Sequence, residues 1–148
     1  EPMVVNPVAM TWDERGRLWV VELFEYPLGA PKGSAPRDRV KILEDTDGDG
    51  RADKVTVFAE GLNLATAIIL GNGGAYIGQA PDVLFLKDTD GDDKADVREV
   101  VLTGFGLEDR HELLNGFTWG PDGYLYMTHG VFTHSLVKAR RSRMIPAW

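Results

Sequence analysis

The chain has 148 residues, 43% of them hydrophobic, which is enough for one domain with a core and too apolar for a disordered segment. Its 23 acidic against 16 basic side chains give a net charge of −7, so nucleic acid finds no electrostatic footing. The absence of cysteine excludes disulfides, thiolate zinc sites, cysteine nucleophiles and covalently attached c-type haem in this segment, and no apolar run approaches the ~18–20 residues of a membrane span.

The chain begins Glu1-Pro2-Met3, without a basic region and apolar stretch, so any signal peptide is expected to have been removed or left out. The first element is a hairpin, Met10–Val20, with a turn ending at Gly16 and an aromatic, Trp19, on its second strand. A Pro- and Gly-rich insertion, Glu25–Arg39, separates it from a third strand, Val40–Leu43. An Asp-rich loop, Asp45–Asp53, leads to a fourth strand, Lys54–Phe58, and Gly61 closes the unit. The order then recurs. A hairpin over Ile68–Ile77 turns at Asn72-Gly73, Val83–Leu86 leads into a second Asp-rich loop, Asp88–Asp96, and Val97–Leu102 leads out to Gly104. A charged insertion, Glu108–Asn115, precedes a third hairpin, Phe117–Met127, with the turn Gly120-Pro121-Asp122-Gly123. Asn-Gly and Pro-Asp-Gly are turn chemistry, because glycine supplies positive φ and proline presets the first central residue.

Gly16, Gly73 and Gly123 align, as do Trp19, Tyr76 and Tyr126, and the two Asp loops lie 43 residues apart. A period in the forties with four strands per unit predicts a repeated β-unit, the blade of a propeller. The fold class is therefore all-β, a partial β-propeller of about two and a half four-stranded antiparallel blades. Blade one spans about residues 5–61, blade two about 62–104 and a half blade about 112–135. Residues 136–148 carry Lys138, Arg140, Arg141 and Arg143 and fall outside the pattern, as a basic tail or a short helix. Propellers close with roughly 4–8 blades, so the chain is expected to be a fragment whose partners are the remaining blades of a longer chain.

Carboxylates at loop positions 1, 3, 5 and 9 let a short backbone curl around one hard cation, which takes several oxygen ligands at ~2.3–2.6 Å. Loop one offers Asp45, Asp47, Asp49 and Asp53, with the Arg51 carbonyl at position 7 and Gly50 at the sharp turn. Loop two offers Asp88, Asp90, Asp92 and Asp96 with the Lys94 carbonyl, and Asp93 replaces the glycine. The bland reading is a pair of hydrophilic turns, but two copies at a repeat spacing favour metal. Ca²⁺ suits them better than Mg²⁺, which demands tight octahedral geometry. The loops hold nine of the 23 acids, and two Ca²⁺ would bring the charge from −7 to −3. At position 12 Glu99 falls in a strand, so short β-hairpin sites are expected rather than EF-hands. Loops of this quality point to an extracytoplasmic setting, where calcium fills weak sites.

Chemistry is expected in the insertion before the third hairpin. His111 titrates in the range of a general base, and Arg110 could hold an anionic cofactor or a developing oxyanion. The competing reading is a pair of solvated side chains. His129 and His134 sit five residues apart without a third ligand, which suits loop polarity better than a metal site. Glu22 lies in a strand that carries it either to the channel or to the exposed face. No Ser-His-Asp arrangement, phosphate loop or zinc motif is present.

The strings Leu43–Gly50, Gly78–Gly91 and Leu114–Gly123 together resemble the propeller region of the bacterial membrane-bound dehydrogenase family, over about residues 5–135. Its members are exported proteins, often with a C-terminal CxxCH haem domain. More distantly the chain is similar to soluble quinoprotein glucose and sorbosone dehydrogenases. That resemblance implies oxidation of a sugar or alcohol with pyrroloquinoline quinone (PQQ) in the complete protein, and His111, ten residues before Pro121, in the place of the base. The residues after His111 are Glu112-Leu113-Leu114-Asn115 rather than the glycines usual there, and the family's cofactor-gripping basic residues belong to later blades. The alternative is a non-catalytic, calcium-stabilised propeller that binds glycans or proteins. The fragment alone is expected to be inactive.

Overall fold

The computed structural model describes residues 3–140. Eleven strands form among them and no helix: β1 Pro7–Trp12, β2 Leu18–Glu22, β3 Asp38–Glu44, β4 Lys54–Leu62, β5 Ala67–Gly71, β6 Gly74–Gln79, β7 Asp82–Lys87, β8 Val97–Thr103, β9 Gly116–Trp119, β10 Leu125–Thr128 and β11 Lys138–Ala139. The sheets are antiparallel and ordered β1-β2-β3-β4, then β5-β6-β7-β8 with β11 added outside β8, then β9-β10. The architecture is all-β and propeller-like: two four-stranded up-and-down blades and the inner half of a third.

Alternation along each strand assigns its two faces. Ala9 and Thr11 pair with Val21 and Trp19, and cross-strand partners point the same way, here toward blade two. Trp19, Val21, Val40, Ile42 and Phe58 meet Ile68, Ala75, Ile77, Leu84 and Leu86 to form the first interblade core. Leu23, Leu64, Val83, Phe105 and Leu114, flanked by Tyr76, Phe117 and Met127, form the second, between blade two and the half blade. Each fully buried Val, Leu, Ile or Phe contributes ~1.5–3 kcal/mol, so the interblade faces, not the strands alone, hold the arc together.

Strand direction divides the arc into two rims. One carries the β1–β2, β5–β6 and β9–β10 turns and both Asp loops. The other carries the 23–37 insertion, the β4–β5 link and the segment before β9. Asp38 anchors this second rim. Fully buried, it accepts hydrogen bonds from the Phe24, Glu25 and Ala65 N–H groups at 2.6, 3.0 and 3.1 Å. The third strand therefore starts at Asp38, two residues before the apolar run that marks it in the sequence.

Part of the expected basic tail is a strand. Lys138 and Ala139 pair with Thr103 and Leu102, while the Leu136 and Arg140 N–H groups bond the Gly104 and Val101 carbonyls at 2.9 and 3.1 Å. The edge of β8 supplies a row of unpaired backbone groups, and these residues satisfy them without any apolar alternation of their own. Arg141, Arg143 and the rest of 141–148 lie outside the described residues.

Candidate metal centres and rim cleft

The two Asp loops share one hydrogen-bond pattern. In loop one, Asp45 Oδ1 accepts from Gly48 and Asp49 N–H at 2.7 and 3.2 Å, and Oδ2 from Gly50 N–H at 2.8 Å. In loop two, Asp88 Oδ1 accepts from Asp90 and Gly91 N–H at 3.1 and 2.7 Å, and Oδ2 from Asp93 N–H at 2.8 Å. Asp49 and Asp92 take the N–H of Arg51 and Lys94, both at 2.8 Å. Gly48, Gly50 and Gly91 all have positive φ, and Asp93 holds the same geometry at φ 64°. The chain can curl this tightly because these residues tolerate the left-handed region.

The carboxylates of Asp45, Asp47 and Asp49 converge, each offering an oxygen within 4.8 Å of the others, and so do those of Asp88, Asp90 and Asp92. Either triplet could hold a metal ion, and oxygen-only donors suit a hard cation. Asp53 and Asp96 stand outside the triplets. Asp53 accepts from Thr46 Oγ1 at 2.9 and 2.8 Å, and Asp96 from Thr89 N–H and Oγ1 at 2.7 and 2.9 Å, so each closes its loop base. Glu99 lies within β8, paired with Phe85 of β7 and away from the loop. The Gly50 N–H, then those of Gly48 and Asp49, hold Asp45 below the usual carboxylate range. The N–H groups of Gly91, Asp93, Asp90 and Asp92 do the same for Asp88, and Thr89 does it for Asp96. The loops are therefore built around ionised carboxylates before any cation arrives.

Loop two is also tied to blade one. Arg17 places Nε 2.8 Å from Asp13 Oδ2 and Nη1 2.8 Å from Asp93 Oδ1, while Trp19 Nε1 donates to Asp13 Oδ2 at 3.0 Å. Burial works against the Arg17 charge, but bonds to Asp93 and Asp13 outweigh it and raise its pKa. For Asp13, burial is likewise outweighed by its bonds from Trp19 and Arg17, which leave it lowered. This bridge escapes a sequence reading. Its one signal is that loop two has aspartate where loop one has glycine.

The opposite rim holds a cleft of about 500 Å³ lined by Asn6, Phe24, Tyr26, Thr66, Arg110 and His111, among others. His111 Nδ1 is hydrogen-bonded to the Tyr26 hydroxyl, their rings in edge contact at 5.8 Å, and the His111 backbone N–H donates to Asp109 Oδ1 at 2.8 Å. Tyr26 comes from the insertion of blade one, 85 residues away, and nothing in the local sequence marks it. Among the described residues Arg110 is the one cation lining this cleft. His129 and His134 do not converge: His129 Nδ1 bonds Thr133 Oγ1 at 2.9 Å beside the Phe105 ring, whereas His134 lies near Glu108. Glu22 faces neither solvent nor channel. It is fully buried between Arg39 and Lys41, 2.9 Å from Lys41 Nζ, and accepts Val5 N–H at 2.7 Å. Burial would raise its pKa, but Arg39, Lys41 and the Val5 N–H outweigh it and hold the group below the usual carboxylate range.

The rims are a blade height apart, about 17–20 Å for strands of five or six residues. A cation in either Asp loop therefore touches nothing in the His111 cleft. No helix of the described residues is long and apolar enough to cross a membrane. No curated protein matches the chain, and no solved structure does. The model of one family, described as a domain of unknown function (DUF7133), matches residues 1–145, and the chain belongs to that family.

Proposed function

We propose that the chain is the calcium-stabilised part of an exported propeller of the quinoprotein-dehydrogenase kind, which in complete form oxidises a sugar or alcohol. The observation that carries the calcium half is the repetition of one hydrogen-bond pattern around two convergent carboxylate triplets. Bound there, Ca²⁺ neutralises packed carboxylates and fixes the two outer hairpins. It plays a structural part, since the loops sit on the rim away from the cleft. Calcium in weak, exposed loops suits an extracytoplasmic setting.

The catalytic half rests on His111 in the rim cleft. For His111 to act as base, Nδ1–H must donate to the Tyr26 hydroxyl, leaving Nε2 free to take a substrate hydroxyl proton. The residues present do not fit PQQ by themselves. The quinone bears several carboxylates, and among the described residues the cleft offers Arg110 alone as a counter-charge. A quinone would have to be gripped by other blades, and the isolated chain turns nothing over. The alternative, a non-catalytic propeller that binds glycans or proteins, is favoured by the same poverty of charge: among the described residues no carboxylate lines the cleft to polarise His111.

Calorimetric titration of the chelated chain tests the metal. Heat from Ca²⁺ at up to millimolar concentration is expected, and its absence removes both sites. Dye-linked oxidation by a longer form of the protein, with and without added quinone, tests the chemistry. Quinone-dependent turnover lost in His111→Ala supports the enzyme, whereas turnover untouched by that substitution takes His111 out of the mechanism.

A further inference from the structure

The cleft on the rim opposite the Asp loops is lined by side chains that donate. Its volume, about 500 Å³, suits one small molecule. Asn115 Oδ1 accepts from Thr128 Oγ1 at 3.2 Å, which leaves the amide N–H groups of Asn115 for a ligand. Tyr26 occupies His111 Nδ1, so Nε2 is the ring nitrogen left to the cleft. Arg110 adds a guanidinium, and among the described residues no carboxylate lines the cavity to answer it. Val8, Leu23, Phe24 and Leu113 make much of the remaining wall apolar.

Arg110 is the odd member of its class. Among the described residues three arginines are drawn in from full exposure, Arg17, Arg39 and Arg110. Arg17 spends its charge on Asp13 and Asp93, and Arg39 on Glu22. Arg110 has no acceptor among the described residues, although Glu108, Asp109 and Glu112 flank it in the chain. Each of these acids is committed elsewhere. Asp109 Oδ1 takes the His111 backbone N–H at 2.8 Å and Glu112 Oε2 the Phe132 N–H at 3.4 Å, while Glu108 is held by backbone N–H groups, its own and that of His134. No buried side-chain nitrogen among the described residues lacks a partner, so the free guanidinium is open to the cleft rather than sealed beneath it. An incoming anion completes such an arrangement, and a planar guanidinium grips a carboxylate through two parallel bonds.

We propose that this cleft takes a small carboxylate that also carries hydroxyls, the chemistry of a sugar acid. The carboxylate sits on Arg110 with the Asn115 amide beside it, a hydroxyl meets His111 Nε2, and the C–H face of the sugar ring packs on the apolar wall. This narrows the substrate class of the site assigned above and rests on that placement of the cleft. The net charge of −7 does not forbid it. The Asp loops lie a blade height away, about 17–20 Å, beyond the ~8 Å screening length of physiological salt. Glu108, Asp109 and Glu112 lie closer, and they hold the expected dissociation constant to about a millimolar.

Titration of the calcium-loaded 148-residue chain with glucuronate, its neutral amide and glucose tests it, read on the imidazole NMR signals of the three histidines. Glucuronate is expected to shift the His111 signals, with the amide and glucose weaker by about tenfold or more. Arg110→Gln should lose the same factor, with melting curves checking that it folds. Arg15→Gln removes an equal charge from an exposed position on the opposite rim and should stay within about twofold of wild type. The comparison of acid with amide needs no variant, so it decides even where Arg110→Gln fails to fold. Equal affinity for acid and amide overturns the proposal. So does glucuronate binding untouched by Arg110→Gln, the sign of an acid held by calcium on the loops, and so does a His111 signal that stays still well above the expected dissociation constant. Selective binding of the acid, in a longer form that oxidises none of these ligands, removes the dehydrogenase reading and leaves the sugar-acid site standing.

Discussion

Glu22 is the side chain on which most local charge depends. Its carboxylate is out of water, Arg39 and Lys41 close on it from β3, and the Val5 N–H caps it from the segment before β1. Removing one partner of a buried pair costs ~3–5 kcal/mol because the others stay behind uncompensated. Arg39 is about one-third exposed and can rehydrate, so Glu22→Ala is expected near the lower figure, read from the denaturant midpoint. The same group gives stability a pH dependence of known sign. Its folded pKa lies below the unfolded value of about 4.3, so the contribution is complete above that pH and drains away as pH falls through the folded value. Glu22→Gln should therefore show a lower midpoint at neutral pH and a shallower loss in acid than the wild-type chain. Parallel acid limbs would place Glu22's stabilisation elsewhere.

At the scale of the element, the Asp loops separate scaffold from ligand. Asp45 and Asp88 each hold several backbone N–H groups, so replacing them would loosen the loop as well as remove an oxygen. Asp47 and Asp90 each accept one such bond, which makes them the cleaner probes. A ligand at a hundred times its Kd stabilises the folded chain by about 2.7 kcal/mol per site, which appears as a higher melting temperature. Chelation should lower the wild-type melting temperature and Ca²⁺ restore it. Asp47→Asn and Asp90→Asn should each remove part of that rise, and the double variant nearly all of it. A double variant that still responds fully would put the ion somewhere else. These loops, like the turns at Gly16, Gly73 and Gly123, were legible in the sequence because their chemistry is local: aspartate, glycine and asparagine dictate the backbone where they stand. Asp38 and Lys138–Ala139 were not. Both are strand residues through partners supplied by distant segments, and neither has an apolar pattern to declare it.

The whole molecule adds what no element contains, the assignment of each site to a rim. Up-and-down order sends both Asp loops to one end of the blades and the charged segment before β9 to the other, so the fold itself separates the carboxylate triplets from the cleft. The sequence marked the Asp loops and the charged segment around His111, but not their separation. It also missed Tyr26 on His111 and Asp93 on Arg17, pairs 85 and 76 residues apart that only folding brings together. At about 17–20 Å the distance is roughly twice the ~8 Å screening length of physiological salt, so charge at one rim is muted at the other. Mechanical coupling is the remaining route, and Arg17 restricts it to the loop rim by clamping loop two to the β1–β2 turn. His111→Ala should then leave both calcium affinities within about twofold of wild type by calorimetry. Arg17→Leu should weaken the second site, because Asp93 loses the cation that holds loop two in place. If instead His111→Ala shifts calcium binding while Arg17→Leu does not, the two rims communicate through the blades and the division of labour drawn from strand direction fails.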